Sequence, residues 1–286
     1  MYNWQQRDWP NFRYNTNAFD AKLIEYSQRQ ERIDMLFDGL SQELQTETTI
    51  ALMVNEAMKT SEIEGEFLNR DDVAATIRNK FGLERGRSIK DQMAKGAGEL
   101  MVMVQNSIAK PLTEHMLFEW HGILLASAKR INQGQWREHR QPMQIVSGAW
   151  GREKVVFEAP PSSFVPKEMS AFTKWFNNTH PDGIAPIKEP IVRSAIAHLY
   201  FETIHPFEDG NGRMGRAISE KALSQNGDRP VLMSLSSALE PLKKEYFNAL
   251  LAAQKSNEIT EWIFFFIDVV LQAQKNAEVS IALGSM

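Results

Sequence analysis

The chain has 286 residues, enough for one large or two modest domains with real cores. Its 43% hydrophobic and 24% charged content is that of an ordinary globular protein, and a net charge of -4 gives no general case for a nucleic-acid binder. With no cysteine there is neither a disulfide framework nor a thiolate zinc site, which fits a reducing, cytoplasmic setting. The N-terminus lacks the apolar core of a signal peptide. The longest apolar run, 262–267 resuming at 269–271, is too short to span a bilayer and predicts a buried helix, so no membrane partner is expected.

Residues 1–20 gather Trp4, Trp9, Pro10, Phe12, Tyr14 and Phe19, an extended aromatic arm expected to pack on the body. Leu23, Ile24, Ile33, Leu36, Phe37 and Leu40 mark a helix over 21–44, broken or ended near Gly39. Ile50, Met53, Val54, Ala57 and Met58 form the stripe of a second helix, about 48–64, with Gly65 as its C-cap. Glu62, Glu64 and Glu66 crowd that C-terminus, where the macrodipole disfavours negative charge. A solvated acidic end and a carboxylate with a job elsewhere are both open readings.

Asp71-Asp72 suggest an N-cap for a helix to about 78, followed by a loop with Gly82, Arg85, Gly86 and Arg87. Further helices are expected over about 90–107 and from Pro111 and Thr113 to Leu125. Gln144–Ser147 and Lys154–Glu158 alternate as strands around Gly148-Ala149-Trp150-Gly151, predicting a β-hairpin. Pro160 and Pro161 end it, and Pro166 opens a helix to about 176. Residues 225–228 read as a turn, 236–253 as helix, and 260–282 as a final helix.

Between helical patterns at 191–200 and 217–223 lies His205-Pro206-Phe207-Glu208-Asp209-Gly210-Asn211-Gly212-Arg213-Met214-Gly215-Arg216. Gly210 and Gly212 let successive N–H groups turn toward one point, an anion nest that the start of the following helix strengthens. Arg213 and Arg216, three apart, share a helical face near it. Two guanidinium forks, a nest, an Asp and a titratable His suit a polyphosphate carrying a metal ion. The other histidines (115, 121, 139, 180 and 198) lack metal-ligand spacing, and His198 is expected to be packed or hydrogen-bonded.

The twelve residues match H-x-F-x-[D/E]-G-N-G-R-x-x-R at every specified position, and the chain resembles the Fic family, which transfers AMP from ATP to target hydroxyls. The resemblance implies a mainly α fold: a Fic helical core over about 110–225 with a small β-hairpin flap (about 143–159), an N-terminal helical region (1–109) and C-terminal helices (226–286). It assigns His205 as general base and Asp209 to Mg²⁺. Gly210, Asn211, Gly212, Arg213 and Arg216 are assigned to the phosphates of ATP. Thr60 to Gly65 match the family's inhibitory pattern [S/T]-x-x-x-E-[G/N], which implies that Glu64 pairs with Arg216 and holds the enzyme off. Val155, Val156, Phe157 and Glu158 are assigned to the nucleotide edge of the flap, which holds a target segment by main-chain pairing. Tyr246 and Gln254 are assigned to the adenine pocket, although Phe247 and Gln254 stand where Tyr and Asn are frequent.

The function so implied is a protein adenylyltransferase, autoinhibited by Glu64, acting on a Ser, Thr or Tyr hydroxyl of a target protein. The readings beside it are removal of AMP from modified protein, transfer of another nucleotide-derived moiety, and a regulatory, nucleic-acid-associated scaffold. A homodimer is compatible with all of them. Related chains often continue past the equivalent of Met286 into a winged-helix module, so a further segment is an expectation too.

Overall fold

The computed structural model describes residues 1–84, 87–147, 152–227 and 229–284. Eleven α-helices and one two-stranded antiparallel sheet are seen among them. Helix α1 (Asp20–Asp38) stops at Gly39, and α2 (Gln42–Ile63) starts six residues earlier than its apolar stripe suggests. The cause is Ser41, whose hydroxyl accepts the Leu44 N–H at 3.3 Å and caps the first turn, so Leu44 belongs to α2. Asn69, Asp91 and Thr113 cap α3 (Arg70–Lys80), α4 (Gln92–Asn106) and α5 (Glu114–Leu124) in the same way. The α3 cap is thus Asn69 rather than Asp71 or Asp72.

Strands β1 (Gln144–Ser147) and β2 (Lys154–Glu158) pair as expected, Gln144 opposite Glu158 and Ser147 opposite Lys154. A bulge lies between Ile145 and Val146, leaving Val156 as the extra residue of β2. The expected turn at 148–151 lies outside the described residues, as do Arg85, Gly86 and Asp228 of two other expected loops. Helices α6 (Val165–Asn178), α7 (Pro190–Ile204) and α8 (Asn211–Ser224) follow. The helix expected over 236–253 is instead α9 (Leu235–Leu239) and α10 (Lys243–Ala253), because Pro241 lacks the N–H that a continuous helix needs and sits in a 3₁₀ turn. Helix α11 (Thr260–Gly284) closes the chain.

Helix α7 organises the fold. Every residue from Ile191 to Ile204 is buried, which marks a helix packed on all sides. Ala197, Tyr200, Phe201 and Ile204 face one core, built with α2–α6 and α8. Ile191, Val192, Ala195, Ile196 and Leu199 face a second core, built with α1 and α9–α11. The three sequence regions therefore share cores rather than forming separate bodies.

The N-terminal arm packs on the body. Asn3 N–H donates to Gln254 O at 2.8 Å, Trp4 Nε1 donates to Glu158 O at 2.8 Å, and Trp9 meets Tyr200 edge-on at 5.1 Å. The arm thereby joins the flap strand to the C-terminal helices. No helix among the described residues is long and apolar enough to cross a membrane.

Candidate active site

The site forms where α7 stops and α8 begins. His205 caps α7 in the left-handed region (φ 51°, ψ 59°), a conformation uncommon for a residue with a side chain, and Pro206 prevents the helix from continuing. Gly210 caps α8 at φ 79°. The loop between them is braced by Asn211, whose Oδ1 accepts Phe207 N–H at 2.9 Å while its Nδ2 donates to Phe207 O at 2.9 Å. The Asn211 amide is thus committed to the loop and 2% exposed, so its expected side-chain contact with phosphates is not what the structure shows.

His121 also holds this loop, and no spacing signal distinguished it from a core histidine. Gly134 N–H donates to its Nδ1 at 2.9 Å, which leaves the ring proton on Nε2, 3.1 Å from Asp209 O. Its ring stacks on Phe207 at 3.9 Å. Burial holds its pKa below the ordinary histidine value. Asp209 itself is exposed, and its Oδ1 accepts Gly210 N–H at 2.6 Å.

Both motif arginines are buried, and both are occupied by the segment that ends α2. Arg216 donates through Nε to Thr60 Oγ1 (2.7 Å) and through Nη2 to Thr60 O (2.9 Å) and Glu64 Oε1 (2.7 Å). Arg213 pairs with Glu66 through Nη1, and its Nη2 lies 4.0 Å from Asp209 Oδ1. Each glutamate of the acidic cluster therefore has its own cation, since Glu62 takes Lys59 at 2.6 Å. The expected pairing of Glu64 with Arg216 is present. Arg213, which the resemblance assigns to phosphate, meets Glu66.

Glu64 leans over the first turn of α8: a Cβ on Gly212 would collide with its Oε1. A carboxylate there sits against unpaired helix N–H groups and the positive end of the macrodipole, the position suited to an anion. Burial pushes the Glu64 carboxyl up, but the guanidinium of Arg216, with Arg213 behind it, outweighs burial and holds it below the usual carboxylate range. Glu66 goes the other way. Burial, with Asp209 and Glu64 nearby, raises it despite Arg213.

Behind the motif, a chain of donors fixes the rear of α8. Tyr246 OH meets His198 Nε2 at 2.7 Å, His198 Nδ1 meets Ser219 Oγ at 3.1 Å, and Ser219 donates to Gly215 O at 2.9 Å. His198 is packed as expected, its pKa pushed down to about 3 by burial. Tyr246 and Gln254 are each 1% exposed, and Gln254 Nε2 donates to Glu202 O at 3.3 Å. Both side chains lie in this packed wall. Glu202, 4% exposed, presents Oε2 at 3.7 Å from His205 Nδ1, and burial raises its pKa to about 8. Burial, then the nearby Arg137 cation, pushes His205 down to about 4, although 14% of its side chain remains accessible.

On the flap, Val155 is 47% exposed and Val156 and Glu158 are half-buried. Phe157 is a correction: it is fully buried and meets Tyr2 edge-on at 5.0 Å, so it anchors the flap to the arm instead of lining a nucleotide edge. Glu158 receives Gln144 Nε2 at 2.8 Å across the hairpin.

The arrangement is a helix-start anion site carrying two arginines beside a neutral imidazole. Residues 111–223 match the Fic/DOC family, and residues 2–83 match a domain of unknown function (DUF4172). The chain is 25% identical over 175 residues to a protein adenylyltransferase Fic of Nematostella vectensis, an alignment covering 60% of this chain and 37% of that protein. A 249-residue alignment with a protein adenylyltransferase Fic of Drosophila ananassae, 23% identical, covers 84% of this chain and 46% of the relative. The chain thus spans less than half the length of either. Its fold is similar to a crystal structure of a Fic family protein from Desulfovibrio desulfuricans G20, with a TM-score of 0.72 and 23% identity over 95% of this chain and 77% of that one. The chain carries a Fic/DOC-family domain, built around α5–α8.

Proposed function

We propose that this protein transfers AMP from ATP to a hydroxyl of a target protein and rests in an inhibited state. The observation carrying the proposal is the 2.7 Å pair between Glu64 and Arg216 over the first turn of α8. It supports this reading because a carboxylate of the same chain already engages the guanidinium that, with the helix N–H groups, would take a phosphate of ATP.

In this reading the target hydroxyl gives its proton to His205 as its oxygen attacks the α-phosphorus and pyrophosphate leaves. His205 Nδ1 is turned toward Glu202, so Nε2 is the accepting atom. An imidazole kept neutral by burial is ready to accept at neutral pH. Arg213, Arg216 and the amides of Gly210, Asn211 and Gly212 would hold the phosphates. Asp209, an exposed carboxylate beside Arg213, would hold Mg²⁺, and the ion would offset charge on the leaving group. Tyr246 and Gln254, expected in the adenine pocket, would act from the packed wall behind α8, since both side chains are buried. Exposed Val155 on the flap edge would pair with the target main chain.

With Glu64 on Arg216, the terminal phosphate cannot settle and the α-phosphorus is not presented in line. Misplacement by about an ångström costs on the order of 10²-fold. The test uses ATP labelled at the α or γ position with Mg²⁺ and a lysate. Covalent α-label with Glu64→Gly, weaker with wild type and absent with His205→Ala in the Glu64→Gly background, is the expected pattern. Covalent γ-label, or equal α-labelling by wild type and Glu64→Gly, would overturn the activity or the inhibition respectively.

A further inference from the structure

Arg137 lies between α5 and the hairpin, outside the motif, and it is 1% exposed. Among the described residues it has no carboxylate partner. Its acceptors are all neutral, so a full charge sits in the interior held only by hydrogen bonds, an arrangement that costs stability unless those bonds are well made. Nε donates to His205 O at 2.7 Å, and Nη2 to Ile204 O at 3.2 Å and Pro160 O at 2.6 Å. Nη1 donates to Ser162 Oγ at 2.9 Å, and that hydroxyl donates to His139 O at 2.8 Å. The Arg137 backbone N–H donates to Pro206 O at 2.9 Å.

These bonds fall on two sides. On one side are the last carbonyl of α7 and the carbonyls of His205 and Pro206, which bracket the left-handed residue. Left-handed backbone at a residue with a side chain persists only where its surroundings over-determine it, and Arg137 supplies three of the bonds that do so. The same cation lies at the negative end of the α7 dipole. On the other side are Pro160 and Ser162, the chain leaving β2. Because a guanidinium is planar and its donors are rigidly disposed, it fixes the distance and angle between the two sides.

We propose that Arg137 is a positioning residue that holds the backbone of His205 and the base of the flap in one rigid frame, so that the proton acceptor and the segment presenting the target hydroxyl stay in register. The inference rests on the proposed AMP transfer. It adds to it a second determinant of rate that touches neither ATP nor target. Lysine cannot replace it fully, because one ammonium cannot span both sides.

The full chain is tested in the Glu64→Gly background, with Arg137→Met, Arg137→Lys and Ser162→Ala added singly. Folding is checked by circular dichroism and melting temperature. Expected is a loss on the order of 10²-fold in single-turnover AMP transfer for Arg137→Met, with ATP affinity unchanged within about twofold. Arg137→Lys recovers part of that loss, and Ser162→Ala loses less than Arg137→Met. An independent arm titrates the His205 ring by NMR. Four ionisable groups act on it: Glu202 on α7, Glu64 at the end of α2, Asp209 in the motif loop, and Arg137. Removing the cation moves the His205 titration upward in Arg137→Met and leaves it in place in Arg137→Lys, a pattern that loss of packing alone does not produce.

A folded Arg137→Met with wild-type transfer rate and an unmoved His205 titration overturns the inference. If Arg137→Met does not fold, Arg137→Lys and Ser162→Ala carry the test, and undiminished transfer in both overturns it. Absence of AMP transfer from Glu64→Gly itself counts against the proposed function, while the NMR arm still reads the clamp.

Discussion

Glu66 closes on the guanidinium of Arg213, three residues before Arg216 takes Glu64. Two glutamates just past the end of α2, separated by Gly65, thus cover the two motif arginines at the start of α8. The spacing follows from local backbone: Glu64 caps α2, and Gly65 at φ 83° turns the chain, so that both side chains point at the same helix end.

The two contacts differ in strength. Arg216 makes three bonds to Thr60 and Glu64, whereas Arg213 makes one hydrogen bond, to Glu66, whose side chain is 28% exposed, with Asp209 farther off at 4.0 Å. A partly exposed pair contributes on the order of 0.2–1 kcal/mol. Glu66→Gln should therefore raise α-label transfer by only a few-fold, well below Glu64→Gly. The double variant should exceed either single one. Initial rates of α-label incorporation across the four proteins check this, and a larger effect from Glu66→Gln than from Glu64→Gly would invert the ranking.

Removing Glu64 opens the anion position to ATP, and a ligand that binds only the folded state stabilises it by RT ln(1 + [L]/Kd). At a hundredfold excess over Kd this is about 2.7 kcal/mol. With MgATP the melting temperature of Glu64→Gly should rise by several degrees, and that of wild type by less. Equal shifts would mean that Glu64 does not compete with nucleotide.

Thr60 is 2% exposed, and its hydroxyl accepts from Arg216 Nε. Thr60→Val keeps the shape and leaves a buried N–H without its partner, at a cost of about 1–3 kcal/mol. Differential scanning calorimetry should show a melting temperature lower by a few degrees. The same change should weaken the hold on Arg216 and raise α-label transfer above wild type.

The rate should hardly fall between pH 7 and 5. His205 sits near 4 rather than 6.5 because burial, then the Arg137 cation, disfavours its charged form. Its base form therefore persists until the pH approaches about 4. The sign for stability is the reverse of a salt-bridged histidine: the unfolded chain binds this proton below about 6.5 and the folded chain only near 4. That group accordingly removes stability as the pH falls through this window. Glu64, also depressed, contributes stability above its unfolded value near 4.5 that is lost in stronger acid. A pH profile of single-turnover transfer by Glu64→Gly checks the first point; an acid limb centred near 6.5 would show His205 unshifted.

Much of the fold was legible in the sequence because it rests on local rules. Helical spacing located α1–α8 and α11, proline and glycine marked many of their ends, and alternation located β1 and β2. The errors came from effects that periodicity does not report: the Ser41 cap that starts α2 early, and Pro241 dividing α9 from α10. In the site, His205, Asp209 and the two arginines stood out because they are adjacent in the chain. His121 and Arg137 did not, since a buried histidine in an amphipathic helix and an arginine before a hairpin look ordinary until their partners are known.

The sequence by itself determined that a nest, a base and two guanidinium groups would lie together, because twelve consecutive residues carry them and glycine geometry shapes the loop. It also determined that three glutamates would crowd one helix end. Only the tertiary structure decided which cation each would meet, that Asn211 closes the loop and Phe157 anchors the flap, and that Arg137 joins that flap to His205. Apart from the local contacts of Asn211 with Phe207 and of Glu62 with Lys59, those pairings span between 68 and 155 residues of chain, as with Arg137 and His205 or Phe157 and Tyr2. They are set by how α2, the hairpin and the arm pack around α7, which no local spacing encodes.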